Sequence, residues 1–122
     1  GVQLDLMGQE NAESTGTRQL SGVGGQMDFL EGAYRSKGGK GFICINSSRV
    51  TKDGERKSNI LATIPGGSTI SAPRTMIQYV ATEYGIASLS GKTLRERAEA
   101  MASIAHPDFR EELMKYAREN FK

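Results

Sequence analysis

Apolar residues recur along the chain with two different periods, and the period sets each predicted element. Val2, Leu4 and Leu6 alternate with their neighbours, which predicts a strand over residues 2–7 ended by Gly8. Residues 9–25 lose the pattern: polar and glycine-rich, they read as a long loop, functional or disordered. From Gln26 the spacing becomes Met27, Leu30, Ala33, Tyr34, the stripe of a helix, which "SKGGKG" stops. "GFICIN" (41–46) is a continuous apolar run between turn residues and suits a strand buried on both faces. Asp53-Gly54 is a tight-turn signal between that run and "NILATI", so a hairpin is expected.

Beyond "PGGST" and Pro73, "RTMIQYVATEYG" is rich in β-formers and reads as one more strand, with Gly85 ending it. Thr93 and Glu96 have capping-box spacing, hydroxyl and carboxylate each satisfying a free amide of a helix start. The helix they open is expected to bury Leu94, Ala98, Met101 and Ala102. Pro107 stands where a first helical residue belongs, and Phe109, Leu113, Ala117 and Phe121 form a second stripe. Strands interleaved with helices predict an α/β fold with helices packed on a mixed sheet, in a single domain. Because the strand pattern starts at once, a piece of a longer protein is expected.

Composition narrows this picture little. With 37% hydrophobic and 25% charged residues the chain is globular rather than disordered. No apolar run approaches the roughly 18 residues of a membrane span. The single Cys44 rules out an internal disulfide or a cysteine zinc site and makes a reducing cytoplasm the expected location. Charge is unevenly placed. Residues 1–32 hold five acids and only Arg18, whereas residues 33–60 hold Arg35, Lys37, Lys40, Arg49, Lys52, Arg56 and Lys57 against Asp53 and Glu55.

Several residues carry candidate chemistry. "SGVGGQMDF" places Gly22, Gly24 and Gly25 directly before a helix, where bare amides form a site for negative charge. A dinucleotide fingerprint fails because Met27 occupies its third glycine, and no Lys-Ser/Thr pair follows as in a P-loop. Two readings stay open: an oxyanion hole, or a turn that merely lets helix and sheet touch. Lys52, Arg56 and Lys57 could hold the phosphates of a polyanion or nucleotide-bearing substrate, or simply keep a hairpin soluble. Few aromatics interleave with them and no recognition motif is present, which argues against nucleic acid. Glu83 ends an apolar strand before a glycine, where it either orients a substrate, acts as a base, or faces solvent in a turn. Asn11 and Glu13 in "QENAEST" read as turn-forming, His106 before Pro107 as a helix cap, and Cys44 as core. With one His and one Cys, no metal site is expected.

"NAES.GTRQLSGVGGQMDFLEGAYRSKGGK", "STISAPRTMIQYVATEYGIASLSGKT" and "RAEAMASIAHPDFREEL" together resemble the carboxyl-terminal domain of the acetyl-CoA hydrolase/transferase family. The similarity is strongest to 4-hydroxybutyrate and butyrate:acetate CoA-transferases and covers nearly the whole chain. It implies a CoA-transferase-like domain from a two-domain enzyme with its active site at the domain junction. A family glutamate attacks the acyl-CoA thioester to give an acyl–glutamyl anhydride. CoA thiolate returns to form a glutamyl-CoA thioester, and an acceptor carboxylate takes over the CoA by the reverse steps. The family's G-x-G-G stretch falls on Gly22 to Gly25, which assigns Gly24 or Gly25 an oxyanion amide. Its N-A motif falls on Asn11, implying an amide that holds the nucleophilic carboxylate. Its T-E-Y/H-G motif puts a carboxylate near the reacting centre at Glu83.

One departure matters. The family's nucleophile belongs to an H-T/S-E-M-like motif, and no such motif occurs here. The resemblance therefore implies the later part of an enzyme that does not turn over alone and needs its upstream part. It further implies acyl-CoA and carboxylate substrates, no tightly bound cofactor and a homo-oligomer. Acyl-CoA hydrolysis and a non-catalytic basic binding module are the competing functions.

Overall fold

The computed structural model describes residues 3–122, so Val2 of the first predicted strand lies outside the described residues. In chain order the elements are β1 (Gln3–Asp5), β2 (Glu10–Asn11), β3 (Ser14–Thr15), β4 (Arg18–Gln19) and α1 (Gln26–Arg35). There follow β5 (Phe42–Cys44), β6 (Ser48–Val50), β7 (Arg56–Ser58), β8 (Ile60–Leu61), β9 (Tyr79–Thr82), β10 (Gly85–Ser88), α2 (Leu94–Ser103) and α3 (Pro107–Asn120). Two three-stranded mixed sheets form the frame, in the orders β2-β1-β8 and β10-β9-β5. β1 runs parallel to β8 and antiparallel to β2, while β9 runs parallel to β5 and antiparallel to β10. The expected α/β fold with a mixed sheet and packed helices is thus present, with the sheet split in two.

One hydrophobic cluster joins the two sheets to the helices. Leu4, Leu6 and Ile60 enter it from the first sheet, Val80 and Ala87 from the second, Ala98, Met101 and Ala102 from α2, and Leu113 and Ala117 from α3. Fully burying a Leu, Ile or Met side chain contributes on the order of 1.5–3 kcal/mol, so the fully buried Leu4, Leu6, Ile60, Leu89 and Met101 dominate. Local signals place the helices on this core. Thr93 and Glu96 form both halves of the capping box of α2. Pro107 opens α3, and His106 is its cap, Nδ1 accepting from the Asp108 N–H at 3.2 Å.

Several expectations are corrected. The stretch read as one loop, residues 9–25, contains β2, which pairs with β1, and the β3–β4 hairpin, because Gly8 (φ 90°) and Gly16 (φ 56°) turn the chain back on itself. β5 is half-exposed: Ile43 is buried but Phe42 and Cys44 face out, since this edge strand is covered on one face only among the described residues. Cys44 is therefore not core. The Asp53-Gly54 turn does close a hairpin, but it joins β6 to β7, and "NILATI" supplies β8, the parallel partner of β1. In "RTMIQYVATEYG" the strand begins only at Tyr79, after a turn in which the Met76 N–H bonds Pro73 O at 3.0 Å. Gly85 starts a second strand rather than ending the run. Leu94 is 41% exposed at the first turn of α2, its place on the buried face taken by Arg97; Tyr34 is 62% exposed, since α1 meets the core through Leu30 with Met27 packed beside it.

Candidate active site

Glu83 sits where the pattern put it, at the carboxyl end of β9. β5 and β9 run parallel and end side by side, and Cys44, Ile45, Asn46, Asn59, Ala81, Thr82 and Glu83 line the crevice outside those ends. Such crevices are where α/β sheets bind ligands. Glu83 and Tyr84 form the two-residue turn between β9 and β10, with Gly85 at φ 147°, a conformation closed to other residues. Thr82 Oγ1 donates to Ile104 O at 2.7 Å and accepts the Tyr84 N–H at 3.1 Å, fastening the turn to the end of α2. The Arg110 guanidinium lies 4.8 Å from the Tyr84 ring centre and His106 packs edge-on against the same ring, bracing the turn from α3.

The carboxylate itself is held from the neighbouring strand end. The Ser47 N–H donates to both Glu83 oxygens, at 2.9 and 3.2 Å. The Ser47 side chain comes first and its N–H next in holding the Glu83 carboxyl below the usual carboxylate range, with partial desolvation opposing them and His106 adding a smaller pull. Of the two Ser47 groups, only the N–H meets the carboxylate with regular hydrogen-bond geometry among the described residues. Glu83 is thus a fixed negative charge at neutral pH.

The glycine loop is exposed from Ser21 to Gly25 and leads straight into α1. Gly25 is the helix N-cap, and no side chain caps the first turn. Gly24 has φ 60°, which favours glycine. Gly22 and Gly25 have no such backbone reason. A Cβ on Gly22 or Gly24 would meet nothing within 4 Å, and one on Gly25 would stand 3.8 Å from Phe29 Cε2, an ordinary contact. Among the described residues no helix–sheet approach requires bare backbone here. By contrast, Gly41 is where α1 meets β5, its Cβ position 3.4 Å from Leu30 Cδ2.

Asn11 is fully buried. Its Oδ1 accepts the N–H groups of Glu13 and Ser14 at 3.1 and 2.9 Å, and its Nδ2 donates to Ser14 O at 2.7 Å and weakly to Gln3 Oε1 at 3.5 Å. The adjacent Glu10 is fully buried and accepts a hydrogen bond from Gln26 Nε2, the first side chain of α1. Through Glu13, whose N–H bonds Asn11 and whose carbonyl accepts the Leu20 and Ser21 N–H groups, Asn11 and the glycine loop share one network, while the crevice at Glu83 is lined by other residues.

The basic residues divide. Arg56 and Lys57 line a groove of about 540 Å³ between the β6–β7 hairpin and α3, floored by Leu113 and Tyr116. Lys52, in the turn, does not line it, and Glu55, Glu112 and Glu119 share the rim. Arg56 Nη1 bonds Ser48 Oγ at 2.8 Å, so one cation is partly engaged in its own hairpin. Among the described residues no three His, Cys, Asp or Glu side chains gather as metal ligands, and no helix is long and apolar enough to cross a membrane.

The acetyl-CoA hydrolase/transferase C-terminal domain matches residues 1–117. The chain belongs to that family. Similar members include the butyryl-CoA:acetate CoA-transferase of Anaerostipes caccae, 49% identical over 116 residues, a span covering 95% of this chain and 26% of that protein. The 4-hydroxybutyrate coenzyme A transferase of Clostridium kluyveri is 50% identical over 120 residues, covering 98% and 27%. The crystal structure of RipA from Yersinia pestis shares the fold at a TM-score of 0.82 and 40% identity, covering 97% of this chain and 26% of that one. The chain thus spans about a quarter of the length of the relatives it matches. In this acetyl-CoA hydrolase/transferase domain, sequence reasoning missed Ser47, Glu10, Gln19 and Gln26. Only Glu10 had a local sign, a carboxylate beside Asn11 in an otherwise buried strand pair.

Proposed function

We propose that the protein carrying this domain transfers CoA between a short-chain acyl-CoA, such as butyryl-CoA or 4-hydroxybutyryl-CoA, and a carboxylate such as acetate. A glutamate supplied by another part of the enzyme attacks the thioester carbonyl, and CoA returns to give a glutamyl-CoA thioester that the acceptor carboxylate resolves. Each attack places negative charge on a former carbonyl oxygen. The amide of Gly24 or Gly25, at the positive end of α1, faces that oxygen, and the bare backbone admits it. The observation that carries this reading is the glycine loop of a family member whose Gly22 and Gly25 answer to neither backbone conformation nor internal packing.

Glu83 serves as a fixed acceptor and charge beside the reacting groups rather than as a general base, because Ser47 lowers its affinity for a proton. Asn11 supports the site by shaping the loop below it. Its acceptor and its stronger donor are already engaged, so holding the nucleophilic carboxylate directly would require it to exchange the 3.5 Å contact with Gln3. Arg56 and Lys57 face the phosphates of CoA in the groove they line, and Lys52 adds positive charge from the hairpin turn. Hydrolysis is the second reading, favoured by the family's own description, which names both activities.

The test is acyl-CoA consumption by the full-length protein with and without acceptor carboxylate. Consumption that depends on the acceptor supports transfer. Loss at the same rate without it shows a hydrolase, and no consumption under either condition removes both readings.

A further inference from the structure

The glycine loop has little of its own to hold it in place. Its amides open α1 without a side-chain cap, and within it the one side-chain bond described is Ser21 Oγ to Gly22 O at 3.2 Å. Its position must come from its two ends. Both ends are tied to the same short segment, residues 10–13, and both ties pair a buried acid with a glutamine amide.

At the carboxyl end of the loop, Gln26 follows Gly25 directly, and its Nε2 donates to Glu10 Oε1. Glu10 is fully buried, and its backbone is locked on both sides. Opposite it in the first sheet is Leu4, and on the other edge Glu10 N bonds Ala72 O at 3.0 Å while Ser71 N bonds Glu10 O at 2.8 Å. At the amino end, Gln19 Nε2 donates to Glu13 Oε1 at 3.1 Å and to Ser21 O at 2.6 Å. The Glu13 carbonyl accepts the N–H groups of Leu20 and Ser21 at 2.7 and 3.2 Å, and Thr69 Oγ1 closes the far side of Gln19 at 2.9 Å. Asn11, between the two acids, fixes their spacing by accepting the Glu13 and Ser14 amides.

We propose that Glu10 and Glu13 are positioning residues for the oxyanion amides, each holding one end of the glycine loop through a glutamine, Gln26 and Gln19 respectively. The proposal rests on the reading of that loop as an oxyanion site. Core stability alone does not explain the choice of residue at position 10. An apolar side chain facing the core opposite Leu4 would be buried there without the desolvation that an acid suffers, and burial indeed pushes the Glu10 carboxyl above its ordinary value. A carboxylate there offers what a hydrocarbon does not, a directional acceptor for the Gln26 amide. Catalytic geometry has to be kept to within about 0.5 Å, and a displacement of about 1 Å costs up to roughly a hundredfold in rate.

The test uses the full-length protein with butyryl-CoA and acetate, reading kcat, both KM values, the melting temperature and hydrogen exchange of residues 20–26. Glu10→Ala, Gln26→Ala and Gln19→Ala are expected to lower kcat between about tenfold and a hundredfold while KM for butyryl-CoA stays within about twofold. Exchange at the loop should quicken in each. Glu10→Gln, which keeps an acceptor for Gln26, should recover most of the lost kcat. Gln26→Ala at the helix start leaves the core untouched, so it decides the matter should Glu10→Ala fold poorly. Unchanged kcat in Gln26→Ala and Gln19→Ala would overturn the proposal while the active wild type left the oxyanion reading standing. A wild type inactive toward acyl-CoA would overturn both, and loss of kcat in step with melting temperature, not recovered by Glu10→Gln, would reduce the acids to structural ones.

Discussion

Gly25→Ala separates an oxyanion glycine from a structural one, because the structure fixes what the methyl group costs in stability. At φ −94° and ψ 9° the backbone is open to alanine. The new Cβ would lie 3.8 Å from Phe29 Cε2 and 4.0 Å from Asp28 Oδ2, both ordinary contacts. As an N-cap, alanine is poorer than glycine by about 0.5–1 kcal/mol, and the stiffer unfolded chain returns about 0.4–1 kcal/mol. The net change is within about 0.5 kcal/mol, too small to alter the folded fraction. A methyl group standing between the amide and a developing oxyanion instead removes roughly 2.7–4 kcal/mol of transition-state stabilisation, or about 10²–10³ in kcat. Gly22→Ala is a matched companion, since its Cβ would meet nothing within 4 Å. Gly24→Ala is the less clean variant: at φ 60° alanine adds about 1–2 kcal/mol of backbone strain. The assay is steady-state CoA transfer by the full-length protein at saturating acceptor, alongside thermal unfolding. Gly25→Ala with kcat within twofold of wild type and an unchanged melting temperature would refute the oxyanion role of this glycine.

Other outcomes follow from the same structure. Arg97 reaches into the core to donate to Met7 O, Leu89 O and Arg74 O at 2.8–3.1 Å, so Arg97→Met should destabilise by about 3 kcal/mol or more in chemical denaturation by leaving three carbonyls without their donor. Burial holds the Glu10 carboxyl above its ordinary value, so the folded state binds its proton more tightly than the unfolded chain. Its contribution is therefore most favourable on the acid side and is lost as pH rises through the folded value, and Glu10→Gln should flatten that slope in unfolding measured from pH 4 to 8. Glu83 has the opposite sign. Its lowered carboxyl contributes stability above the unfolded value that is lost as pH falls through the folded one, and Glu83→Gln should remove that acid-side loss. Charge reversal at Lys52, Arg56 and Lys57 should raise KM for CoA esters in the full-length protein, with most of the effect from Arg56 and Lys57, the two that line the groove; an unchanged KM would leave them as solubilising charges.

What the sequence revealed was local chemistry. The capping box at Thr93 and Glu96, the proline start of α3 with His106 before it, and the Asp53-Gly54 turn all act within a few residues, and each stands in the structure as read. Partners across the chain were hidden. The turn was visible but its strands were not, since periodicity does not say that "NILATI" prefers β1, some 55 residues earlier, to the run next to it. The same limit applies to the site. Glu83 was found because a strand end marks itself, whereas Ser47, which sets its charge state, is 36 residues away in a serine-containing loop of no pattern. Gln26 looked like the polar start of a helix, and its bond to Glu10 spans 16 residues. "GFICIN" misled because an unbroken apolar run describes a strand between two layers, and the described residues cover one face of β5 only.

The two carboxylates are pushed in opposite directions, and that divides their roles. A group that must take or give a proton during turnover needs a pKa near the working pH, whereas one that must stay charged needs it far away. Glu83 is held down by Ser47 at an open strand end and keeps its charge throughout. Beside an anionic thiolate or a carboxylate it disfavours additional negative charge unless the charge is drawn off elsewhere. The glycine amides at the start of α1 are the place where such charge is welcome. Glu10, held up by burial, is closed off from solvent and accepts a hydrogen bond from Gln26. Exchanging the two environments in thought shows why they are not interchangeable. A carboxylate with raised pKa at the strand end would be partly protonated and would blur the acceptor, and a lowered one at position 10 would have to overcome the burial that holds Glu10 up.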